Sequence, residues 1–141
     1  MKGQLSYQQI ISFNSDVVKE FAKITGDLNP IHINEDFAST SPFKKPIVHG
    51  FLAGSIFSKI LGMNLPGEGS IYLFQDMNFL KPIFYDVEYL AEVIVEEIDF
   101  VKSKITLITR IYSLDRSIIC IEGTAKIKNS DWVKKQQETN N

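Results

Sequence analysis

Asp27 and His32 stand five positions apart in the run Thr25, Gly26, Asp27, Leu28, Asn29, Pro30, Ile31, His32, and His32 is one of only two histidines in the chain. A carboxylate and a neutral imidazole that share one water can activate it for attack, because each accepts a proton or donates a hydrogen bond once burial tunes its pKa. The reverse elimination uses the same two groups. Pro30 removes a backbone donor and pushes Asn29 toward extended geometry, so a helix running through both Asp27 and His32 is not expected. The bend this predicts turns the two side chains toward one point. The same residue types also serve as an ordinary turn residue and surface residue, and spacing alone leaves that alternative open.

The second histidine, His49, precedes Gly50 at the start of the longest apolar segment. Backbone amides at a helix start lack intrahelical partners and point outward. A glycine there lets a carbonyl approach an amide closely enough to stabilise a developing oxyanion, although Gly50 could equally serve close packing. Two histidines and one Asp at this spacing match no characteristic zinc pattern. Gly67, Glu68, Gly69 is too short for a dinucleotide loop.

The elements that must position these groups follow from periodicity. Gln4 to Ser12 reads as an edge strand. Val17, Val18, Phe21 and Ile24 recur at helical spacing, with Asn14 or Ser15 as cap, Asp16 in the first turn and Gly26 as the stop. From Asp27 to Pro46 the chain is rich in Asn, Asp, Ser, Thr and Pro. It reads as a long structured loop with at most one short helix, Glu35 to Ser39, capped by Asn34, and loops of that length are usually functional. Ile47 to Leu61 is apolar on several faces, as a buried helix would be, and the stretch Gly62 to Gly69 ends it. The period then becomes two. Ser70 to Phe79, Val87 to Asp99, Lys104 to Ser113 and Ser117 to Lys128 read as strands, the last three joined by short turns and therefore antiparallel neighbours. In the second of these, Val87, Tyr89, Ala91, Val93 and Val95 share one face and Glu88, Glu92 and Glu96 the other. The expectation is an α+β domain over residues 1–128, a curved antiparallel sheet wrapped around the helix Ile47 to Leu61, with a polar tail over 129–141 that is frayed or forms a surface helix.

Bulk composition agrees and excludes several classes. The chain has 141 residues, 44 % of them apolar and 23 % charged, which suits one globular domain with a single core. With a net charge of −2 and fifteen scattered Lys and Arg, no phosphate-neutralising stripe exists and nucleic acid is not an expected partner. Met1 to Phe13 lacks the continuous apolar run of a signal peptide, and no window is apolar over a bilayer-spanning length, so a cytoplasmic protein without membrane contact is expected. The single cysteine, Cys120, cannot form an internal disulfide and reads as a small buried hydrophobe.

The run from Phe21 to His32, followed by Ala38, resembles the hydratase motif of MaoC-like (R)-specific enoyl-CoA hydratases. Pro46, Ile47, Val48, His49, Gly50 is similar to that family's approach to its helix. Pro66, Gly67, Gly69 to Tyr72 and Asn78, Phe79, Lys81, Pro82 resemble its strands, so the likeness spans residues 14 to 128. The resemblance implies a hot-dog fold and the reversible hydration of trans-2-enoyl-CoA to (R)-3-hydroxyacyl-CoA, without metal or redox cofactor, coenzyme A being part of the substrate. It implies Asp27 as principal base with His32 as its partner, Gly50 as the oxyanion amide, Ser58 as a hydrogen-bond support of Asp27, and Asn29 as a brace of the loop. A homodimer joined sheet edge to sheet edge is also implied. Tyr85 before Asp86 departs from the family's usual Gly, a change expected to alter a turn and not the site.

Two other readings use the same residues. A 3-hydroxyacyl-ACP dehydratase would keep Asp27 and His32, and Lys44, Lys45, Lys81 and Lys102 could meet either a CoA phosphate or an acidic carrier protein. A hot-dog module that binds acyl thioesters without converting them would have no need of an activated water, and a thioesterase would release free thiol. Leu61, Phe51 and Phe74 could line an acyl pocket or simply pack.

Overall fold

The computed structural model describes residues 5–139. In chain order the elements are β1 (Ser6–Ile11), α1 (Ser15–Thr25), α2 (Pro30–Ile33), α3 (Glu35–Ser39), α4 (Gly50–Met63), β2 (Ile71–Gln75), β3 (Asn78–Phe79), β4 (Tyr89–Asp99), β5 (Lys104–Ser113), β6 (Ile119–Lys128) and α5 (Ser130–Thr139). Gln4, where the first strand was expected to begin, and the last two residues of the expected tail lie outside the described residues.

Alternation in β4 builds the core face of the sheet: Tyr89, Ala91, Val93 and Val95 are buried and meet Phe57, Ile60 and Leu61 of α4 in one hydrophobic cluster. Burying each large apolar side chain of this kind contributes roughly 1.5–3 kcal/mol, so the helix is fixed to the sheet by its apolar girth. The strands are all antiparallel in the order β1-β4-β5-β6-β2, with β3 also on β6. This is the α+β hot-dog arrangement, a curved sheet around one helix. Glu92 lies on the face opposite the core, as the alternation predicts, yet it is not solvated there. It is only 5 % exposed, because Gln8, Tyr112 and Arg116 close over it, and Arg116 reaches its carboxylate at 2.9 Å.

Several expected boundaries shift for identifiable reasons. The central helix begins at Gly50 and not at Ile47, because Ile47 bridges to Phe84 and the Val48 N–H donates to the Ile83 carbonyl at 2.8 Å. The expected strand Ser70 to Phe79 is two strands. Between them the chain turns at Asp76, whose carboxylate accepts the Thr124 N–H at 2.7 Å and whose backbone lies against Gly123. Val87 and Ser117 fall in the turns before β4 and β6. The segment after Lys128 is a docked helix: Val133 is buried, Trp132 packs on the core, and Asn129 caps α5 while its amide binds the Glu68 carbonyl and Ser70 hydroxyl at 3.1 Å each. Cys120 is buried in the core cluster, and burial pushes its thiol pKa up, in keeping with a packing residue. No helix among the described residues is long and apolar enough to cross a membrane.

Candidate active site

Helix α1 is capped by Asn14, whose side chain accepts the Val17 N–H at 2.9 Å, and it ends where Gly26 adopts a left-handed φ of 78°. The next residues are tied down one after another. The Thr25 hydroxyl donates to the Phe21 carbonyl at 2.8 Å and accepts the Asp27 N–H at 3.2 Å. The Asp27 carboxylate accepts the Asn29 N–H at 3.2 Å, and the Asn29 side chain accepts the Ile31 N–H at 3.3 Å. Asn29 therefore braces the loop from both its backbone and its side chain. Pro30 does not prevent a helix here. It occupies the first position of α2, where its missing N–H costs nothing, so the stretch from Asp27 to Pro46 holds two short helices instead of at most one. The bend falls at Asp27 to Asn29, and His32 sits in the helical turn beyond it.

His32 Nδ1 lies 2.8 Å from the Ile47 carbonyl oxygen. A carbonyl can only accept, so Nδ1 carries the hydrogen and Nε2 keeps a free lone pair. Burial lowers the His32 pKa; the Ile47 carbonyl opposes this, His49 lowers it further and the Asp27 charge raises it. The net effect is downward, which favours a neutral imidazole able to take a proton at pH 7.

Tyr85 corrects an expectation. Its hydroxyl donates to the His32 backbone carbonyl, so the residue that departs from the family pattern reaches the site and does not merely reshape a turn. His49, to which the sequence reading assigns no role of its own, is 2 % exposed, its Nε2 lies 3.1 Å from the Asp27 carbonyl oxygen, and its ring stacks on His32 with centroids 3.9 Å apart. The signal that could have exposed it is its place next to the helix start, in a chain with no other histidine outside the motif.

Asp27, His32 and His49 each bring one ligand-type atom within 4.8 Å of the others. In each imidazole one ring nitrogen faces a backbone carbonyl and the other is left free beside the Asp27 carboxylate. What the arrangement can do is polarise a water from two sides.

The pair opens into a cleft of about 380 Å³ shared with Thr25, Gly50, Phe51 and Phe79. An adjoining apolar cavity of about 390 Å³ shares His32, Gly50 and Phe79 and is lined further by Phe43, Ile83 and Lys81. Gly50 is the first residue of α4, so its amide has no intrahelical partner. A methyl at Gly50 would sit 2.7 Å from the Phe79 ring, so glycine is needed for the ring to close over the helix start.

Ser58 is placed elsewhere. It lies eight residues beyond Gly50 on α4, roughly 12 Å along the axis at 1.5 Å per residue, and faces a third cavity with Phe51, Gly54, Phe74 and Met77. Within one chain its hydroxyl does not reach Asp27. Phe51 and Phe74 line that cavity, whereas Leu61 is core. Of the four lysines, Lys81 lines the apolar cavity and Lys45 lies 4.3 Å over the Phe84 ring, while Lys102 sits in the turn between β4 and β5.

The family profile described as MaoC like domain matches residues 2–115. The chain belongs to the MaoC-like family. An (R)-specific enoyl-CoA hydratase from Aeromonas caviae is 42 % identical over 116 residues, covering 82 % of this chain and 86 % of the relative. A mitochondrial 3-hydroxyacyl-[acyl-carrier-protein] dehydratase from Arabidopsis thaliana is 28 % identical over 127 residues, covering 87 % of this chain and 75 % of the relative. The solved (R)-hydratase from A. caviae, described as involved in PHA biosynthesis, superposes with a TM-score of 0.86 at 38 % identity, covering 91 % of this chain and 96 % of that one. This MaoC-like chain therefore shares both its fold and its site-bearing segment with proteins named as hydratases and dehydratases.

Proposed function

We propose that this MaoC-like protein adds water to trans-2-enoyl-CoA to give (R)-3-hydroxyacyl-CoA, and catalyses the reverse dehydration. The observation that carries the reading is the pairing of the Asp27 carboxylate with a His32 ring whose Nδ1 is spent on the Ile47 carbonyl, leaving Nε2 to face the shared cleft. Water lies between the two. Its oxygen bonds Cβ as one proton passes to Asp27, and the π electrons move through Cα onto the thioester oxygen, where the Gly50 amide donates to the developing charge. A proton then passes from the acid–base pair to Cα and the carbonyl re-forms. Atoms and electrons balance with water alone, so the step consumes no redox cofactor, and in this reading the Gly50 amide acts at the thioester oxygen in place of a metal.

Two copies complete the working unit in this reading. Strand β2 pairs with β6 on one side, and its Ile71, Tyr72, Leu73 and Phe74 are all exposed beside Phe51, which is 72 % exposed. An edge with that much apolar surface needs covering, and a second copy joined along β2 would cover it. The single buried Cys120 fits a reducing compartment, and the cytoplasm is the compartment we propose.

Carrier-protein substrates are the second reading, favoured by the plant relative; Lys81 in the cavity lining could meet either carrier. The test is the loss of enoyl conjugation with crotonyl-CoA and with crotonyl-ACP, using wild type, Asp27→Asn and His32→Ala. Wild type should consume crotonyl-CoA, with each variant reduced about a hundredfold or more in kcat/KM. Turnover of crotonyl-ACP alone would favour the second reading, and variants as active as wild type would remove the pair from the mechanism.

A further inference from the structure

The proposed hydration accounts for Asp27, His32 and Gly50 but gives no role to the residue that touches all three. His49 is an imidazole buried to 2 % exposure between Phe21, whose ring centroid is 4.9 Å away, and His32, on which it stacks at 3.9 Å with the planes 26° apart. Its Nε2 reaches across 22 residues to the Asp27 carbonyl at 3.1 Å. Its Nδ1 is buried and has no hydrogen-bond partner in the protein. It is the residue before Gly50, at the cap position of α4, and makes no side-chain cap bond because its ring is turned toward the loop instead.

A buried polar atom without a partner is unfavourable, and Phe or Leu would fill the same apolar slot without that cost. Packing therefore does not explain an imidazole here. The hydrogen bond does, because it is the direct tie between the turn that carries the base and the helix start that carries the oxyanion amide. The stack adds a further constraint by fixing the plane of the His32 ring.

We infer that His49 is a positioning residue, which, as the Nε2–H tautomer, holds the Asp27 turn, the His32 ring and the Gly50 amide in one register. His49 borders the cleft at only 2 % exposure and acts through the groups it holds. The inference rests on the hydration reading for its kinetic consequence, but its structural content can be measured without any turnover.

The experiment pairs His49→Phe, which keeps a ring on His32 and loses the N–H, with His49→Gln, whose side-chain amide can still donate to the Asp27 carbonyl. In full-length protein, His49→Phe should lower kcat for crotonyl-CoA by on the order of ten- to a hundredfold with KM within about threefold, as misplacement of catalytic groups predicts. His49→Gln should recover most of that loss. Melting curves on the same samples separate this from unfolding: a fall in kcat that both variants share and that follows Tm would overturn the proposal, as would His49→Phe with wild-type kcat. Nitrogen-15 NMR of the wild-type imidazoles supplies the independent arm. A His49 resonance pattern of the Nε2–H tautomer supports the geometry even if the protein hydrates nothing, and an Nδ1–H pattern overturns it whatever the activity.

Discussion

His32 is constrained at its ring nitrogen by the Ile47 carbonyl, at its backbone carbonyl by the Tyr85 hydroxyl and on its ring face by His49. Burial is the main reason its pKa lies below 6.5, and the nearby Asp27 charge partly restores it. The sign of the pH dependence follows. Above pH 6.5 His32 is neutral in both folded and unfolded chains and contributes nothing. As pH falls below 6.5 the unfolded imidazole takes a proton first, so stability declines until the folded pKa is passed. NMR titration of His32 should give a midpoint under 6.5, and Asp27→Asn should move it lower still by removing the charge that raises it. A midpoint above 6.5 would contradict a buried neutral base. At this scale the sequence carried the nearness of Asp27 to His32 and the Asn29 brace. It did not carry Tyr85 or His49, because both reach the site through contacts with main-chain carbonyls 53 and 22 residues away, which no local pattern encodes.

Element by element, legibility depended on whether local chemistry or a distant partner set the boundary. Helix α3 and strand β5 have the bounds expected from capping and alternation, since Asn34 caps Phe37 locally and β5 is bounded by turns. The start of α4 and the break between β2 and β3 were not readable, because Ile47 is drawn into a bridge with Phe84 and Asp76 into bonds with Thr124. The break makes a specific demand on β6. A Cβ at Gly123 would lie 1.9 Å from the Asp76 carbonyl oxygen, which is backbone and cannot swing aside. Gly123→Ala should therefore destabilise the protein by at least about 1–3 kcal/mol, read as a lower denaturation midpoint. A variant as stable as wild type would mean that β3 does not pack on β6 as described.

For the whole molecule, one core organises the sheet around α4. The apolar outer edge of β2 is the feature most in need of a partner, and composition alone could not disclose it, since apolar alternation looks the same in a strand that faces a core and in one that faces a second copy. Light scattering should give the mass of a dimer for wild type and of a monomer for Phe74→Lys combined with Leu73→Lys, with activity falling in step if the cleft is completed across the edge. A monomeric wild type would contradict the edge-to-edge arrangement. Asp27 and His32, as proposed, deliver water to one face of a trans-2-enoyl thioester, so hydration yields one enantiomer. Chiral analysis of the product formed from crotonyl-CoA should show (R)-3-hydroxybutyryl-CoA, and an S or racemic product would refute delivery from that face.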